Sequence, residues 1–126
     1  MTAEIPEAPG PIMQRMGQIE RRLGVLDTEW GSAARQERTT KWEYEREKAR
    51  VGMLFAGRAK NQEVLKALVV DHLWAENEDL MNRLMQAEAA IAGCAAEYKT
   101  LDRELSSLQT RLQVLARMES IPAVQR

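Results

Sequence analysis

The stretch VDHLWAENEDLMNRLMQAEAAIAGCAAEYKTLDRELSSLQTRLQVL, residues 70–115, decides the fold. Val70, Leu73, Asn77, Leu80, Leu84, Ala87, Ile91, Cys94, Tyr98, Leu101, Leu105, Leu108, Leu112 and Leu115 recur at alternating steps of three and four. That period places them along one side of an α-helix, because 3.5 residues per repeat keep an apolar seam facing one partner. The spacing predicts an all-α fold with coiled-coil packing. Its seam runs through Leu80, Leu84, Ile91, Leu101, Leu105, Leu108, Leu112 and Leu115.

Outward toward the N-terminus, a second block repeats the pattern with Ile12, Met16, Ile19, Leu23, Leu26 and Trp30. Between the blocks, GMLFAGRAKNQ (residues 52–62) holds Gly57, suited to ending a helix in a left-handed conformation, and Asn61, suited to capping a new one. A bend there gives a long antiparallel helical hairpin with arms at about 12–56 and 62–119, in which residue i faces roughly residue 118 − i. The bulky first block then lies against the small-residue stretch AEAAIAGCAAEY, and large against small interdigitates well. A single continuous rod is the alternative, at about 1 kcal/mol for each interior glycine.

Residues 1–11 hold three prolines and read as an extended, mobile segment; residues 12–119 form one helical domain; 120–126 are a tail. The block AARQERTTKWEYEREKAR, residues 33–50, offers only Trp42 and Tyr44 as large apolar groups and reads as a thinly packed, exposed helix. Gly31-Ser32 before it looks like a local break, with Ser32 as a cap.

The width of the apolar stripe bears on function. Toward the distal end, Glu88, Glu97, Asp102, Glu104 and Arg111 flank the seam, and one partner helix suffices. Nearer the bend, Leu65, Val69, Trp74, Met81 and Met85 widen it beyond a two-helix contact. These five form the candidate partner interface. A second subunit or a helical protein partner would cover them, building a multi-helix bundle on oligomerisation. The competing expectation is cover by Val51–Phe55 of the same chain. Asn77, at a seam position, either fixes register as a buried polar group or faces solvent.

Gly10, Gly17, Gly24 and Gly31 recur every seven residues beside the seam, a spacing that reads first as coincidence in a loosened N-terminal helix and second as a face for close backbone approach.

Chemistry is sparsely represented. His72 is the one histidine; with Glu76 a turn away it makes two ligands at most, so no metal site is expected and a solvated helix histidine is. The single cysteine, Cys94, sits among alanines as a small buried hydrophobe and suits a reducing compartment or an intracellularly assembled particle. The glycines of GMLFAGRAK lack the spacing and final hydroxyl of a phosphate loop, and no paired catalytic carboxylates stand out. No catalytic residue and no cofactor are expected.

Net charge is −1, unevenly spread: residues 35–60 hold eight bases and four acids. A basic segment running into a seam suggests a nucleic-acid-binding coiled coil. Interspersed glutamates, Gly52, Gly57 and the apolar Met53-Leu54-Phe55 argue against it. No apolar run reaches the length of a bilayer span, so no membrane partner is expected. The expectation is a non-enzymatic structural or adaptor protein acting through helix–helix association, with itself or with another helical protein, inside a larger assembly.

Overall fold

The computed structural model describes residues 9–120. They form three helices, α1 (Pro9–Phe55), α2 (Gln62–Glu76) and α3 (Glu78–Ser120), with no strand among the described residues. The fold is all-α. The extended segment expected over residues 1–11 lies outside the described residues up to residue 8, as does the expected tail from residue 121. Helix α1 begins earlier than expected, at Pro9. Pro9 and Pro11 fit its first turn because the N–H groups they lack would have no helical partner there.

Helix α1 continues for 47 residues without the break expected at Gly31-Ser32. The seam explains this. Its period runs on from Trp30 through Ala33, Glu37, Thr40, Tyr44, Glu47 and Val51, and each of these is buried or half-buried. Block 33–50 is thus a packed part of the helix whose seam is built from small and polar groups. Thr40 is 2% exposed. Among the described residues no fully buried side-chain polar atom lacks a hydrogen bond.

Two compact units divide the chain. Among the described residues, the first combines those up to Glu29 with those from Cys94 onward. In it the N-terminal part of α1 packs antiparallel on the C-terminal part of α3. Ile12, Ile19 and Leu108 are fully buried, with Met16, Leu23, Leu101, Leu105, Leu112 and Leu115 packed against them. Arg15 donates through Nη2 to Glu104 Oε1 at 2.9 Å, and Arg22 through Nη2 to Glu97 Oε1 at 2.8 Å; each guanidinium also donates from Nε. These forked pairs set the register at about 119 − i, one residue from the expected offset. Tyr98, expected in the seam, is 46% exposed; half-buried Ala95 and Glu97 line this stretch, and Glu97 meets Arg22.

The second unit, Trp30–Gly93, contains the turn and α2. Its core is Val51, Val69, Leu73 and Met81, with Tyr44, Phe55, Leu65 and Val70 against it. Helix α1 ends in a tightened turn in which Arg58 N donates to Phe55 O at 2.9 Å. Gly57 does not take the left-handed conformation expected of it, since no described glycine has a positive φ. Asn61 caps α2, its Oδ1 accepting from Val64 N at 2.9 Å.

Asn77 is where the structure departs most from the sequence reading. The returning arm is not one helix. Asn77 leaves helical geometry at φ −142° and ψ 54° and closes α2, its N–H donating to Leu73 O at 2.7 Å. Its Oδ1 accepts from Leu80 N at 3.4 Å, opening α3. Glu78 and Asp79 occupy the first turn of α3, where carboxylates meet the positive end of the helix dipole. Asn77 is half-buried, neither the core residue nor the solvated one weighed above.

Candidate partner-binding surfaces

The five residues of the candidate interface separate into two groups. Val69 and Met81, 4% and 8% exposed, belong to the core of their own unit, and Leu65 packs against that core. Val51 and Phe55 cover them, as the competing expectation had it. For these three the partner surface is therefore corrected. The physical reason is the turn: it returns α2 onto the end of α1, so the wide stripe meets apolar groups of the same chain. Trp74 and Met85 remain at the surface, 36% and 56% exposed.

Other exposed apolar groups escaped the sequence reading of a partner face. Trp42 is 61% exposed, with the Arg46 guanidinium 4.8 Å from its ring centroid. Met53 and Leu54, at the end of α1, are 81% and 53% exposed. The signal for Trp42 was present: once the seam is extended through Thr40, Tyr44 and Glu47, Trp42 falls on the side away from it. Of the expected seam residues, Leu80 and Leu108 are buried, and Leu84, Ile91, Leu101, Leu105, Leu112 and Leu115 are half-buried.

Concavities among the described residues of the second unit include the following pair. One, of about 390 Å³, runs along α1 beside Trp42 and is edged by Arg38 and Lys41 on one sign and Glu37 and Glu45 on the other. Its mixed charge prefers no ion. The other, of about 320 Å³, lies between α1 and α2 over Tyr44, Gly52, Leu65 and Val69, with Lys48 and Lys66 as its charged groups.

Electrostatics inside the basic segment are largely local. Glu45 pairs with Lys48 at 3.2 Å, Glu47 with Arg50 at 2.8 Å, and Glu43 with Arg83 of α3 at 3.1 Å. In the first unit, the hydrogen bond from Arg15 holds the Glu104 carboxyl below its ordinary pKa, and that from Arg22 does the same for Glu97. The guanidinium groups of Arg15, Arg22 and Arg83 are correspondingly pushed up, chiefly by their hydrogen bonds to Glu104, Glu97 and Glu43.

His72 is half-buried, with its ring edge-on to Phe55 at 5.5 Å, which corrects the expectation of a solvated histidine. Among the described residues no group of three His, Cys, Asp or Glu side chains could hold a metal ion. Cys94 is a half-buried free thiol. No described helix is long and apolar enough to cross a membrane. No family model matches the chain, and neither a curated protein nor a solved structure is similar to it.

Proposed function

We propose that the protein is a non-enzymatic structural or adaptor component that works by coiled-coil helix–helix association, with a second copy or with another helical protein, inside a larger assembly. The supporting observation is the balance between buried and exposed apolar side chains. The core is a thin seam with two small clusters, while Trp42, Met53, Leu54, Val64, Trp74 and Met85 stay exposed in the second unit, as do Met13, Val25, Tyr98, Val114 and Met118 in the first. Scattered surface apolar groups need no explanation, but two exposed tryptophans and two exposed methionines match the composition of interface anchors.

Light scattering at micromolar concentration tests this directly. The mass should exceed that of a 14.3 kDa chain, and the melting temperature should rise with concentration. Changing Trp74 and Met85 together to glutamine should leave helicity intact and weaken association tenfold or more, about 1.4 kcal/mol. A monomer whose melting temperature ignores concentration overturns self-association. Unchanged assembly of the double variant removes Trp74 and Met85 from the contact.

A further inference from the structure

We propose that the groove between α1 and α2 binds a medium-chain alkyl carboxylate. The groove, about 320 Å³, falls in the size range of small-molecule sites. Its body is apolar: Leu65 and Val69 line it from α2, and Tyr44 from α1. Gly52 deepens it, because nothing lies within 4 Å of where a Cβ would stand, and the groove meets bare helix backbone there. An alkyl chain gains by leaving water for such a surface, in proportion to the area it buries.

The charged groups select the head group. Lys48 of α1 and Lys66 of α2 line the groove, and it has no carboxylate of its own. Lys66 makes no ion pair with any described residue. Lys48 contacts Glu45 at 3.2 Å, but both partners are about half exposed. Such a surface pair contributes little, so an incoming carboxylate can share the ammonium. Apolar walls with charge of one sign only fit an amphipathic anion. The groove beside Trp42, with charges of both signs, does not have this property. The site uses neither Trp74 nor Met85, so it stands or falls independently of the proposed association.

The test uses the full-length protein, uniformly labelled with nitrogen-15, titrated below micelle-forming concentrations with decanoate, decanol and decyltrimethylammonium in separate series. Decanoate should shift the amide signals of Gly52, Leu65 and Val69 saturably and bind at least tenfold more tightly than either other probe. Lys48→Gln with Lys66→Gln should abolish that preference while leaving some tail binding. Gly52→Leu should fill the groove and abolish binding; because leucine is a better helix former than glycine, its melting temperature should not fall. Equal binding of the cationic probe, undiminished binding by Gly52→Leu, or no saturable shift with decanoate would each overturn the proposal.

Discussion

Leu108→Ala measures how much the pairing of α1 with α3 contributes to the first unit. Leu108 is 1% exposed and shares a cluster with Ile12 and Ile19. The substitution removes three buried carbon groups at about 0.8 kcal/mol each, or roughly 2.4 kcal/mol of lost transfer free energy. A residual cavity adds to that. In a seam only two helices thick its walls relax readily, so the total stays near 3 kcal/mol, within the range of buried leucine truncations. With a urea dependence of about 1.5 kcal/mol per molar, the unfolding midpoint should drop by about 2 M. Val114→Ala on the same helix is the control, since Val114 is 46% exposed and should move the midpoint by less than about 0.3 M. Helicity in urea, followed by circular dichroism at one fixed protein concentration, reads both. Equal shifts for the two variants would mean that α1 does not cover Leu108 in solution, and the antiparallel pairing would be wrong.

Acid should weaken the same unit. Glu97 and Glu104 have folded pKa values lowered by their arginines, so their stabilisation is fully present above the unfolded carboxylate pKa. It is lost as pH falls through the folded values. The urea midpoint should decline from about pH 5 downward, and Glu97→Gln with Glu104→Gln should flatten that decline. Met81→Gln should cost about 2 kcal/mol by placing an amide in the core of Val51, Val69 and Leu73, whereas exposed Val64→Gln should stay within about 0.5 kcal/mol by thermal unfolding. Gly24→Ala should raise stability by about 0.5–1 kcal/mol, because no atom within 4 Å opposes the added methyl group. Weaker association of that variant would instead show that the heptad glycines carry a backbone contact.

The seam of α3 was legible because leucines fill it, and leucine at steps of three and four admits one reading. The seam of α1 was legible only as far as Trp30. Beyond it Ala33, Glu37, Thr40 and Glu47 hold seam positions without being large or apolar, so a search for hydrophobic residues stops while the helix continues. Their burial follows from geometry within the second unit: a helix whose Val51 is buried presents Glu47, Tyr44 and Thr40, at steps of four and three before it, on the same side, whatever residues occupy it.

Asn77 shows the converse error. Period counting carried the seam across it, yet Asn-Glu-Asp is also the signature of a helix start: a short side chain able to accept a backbone N–H, followed by two acids. Two rules competed for one residue, and local capping prevailed because the helix is closed and reopened by hydrogen bonds on both sides of Asn77. That break changes the meaning of the wide stripe around it. On a straight helix, Val69 and Met81 would flank opposite sides of the seam, a stripe too wide for one facing helix to cover. Divided between α2 and α3, they meet Val51 together and complete a core from one chain. Trp74 and Met85 of the returning arm and Trp42 and Met53 of α1 stay exposed, and the groove lies between α1 and α2 over Gly52.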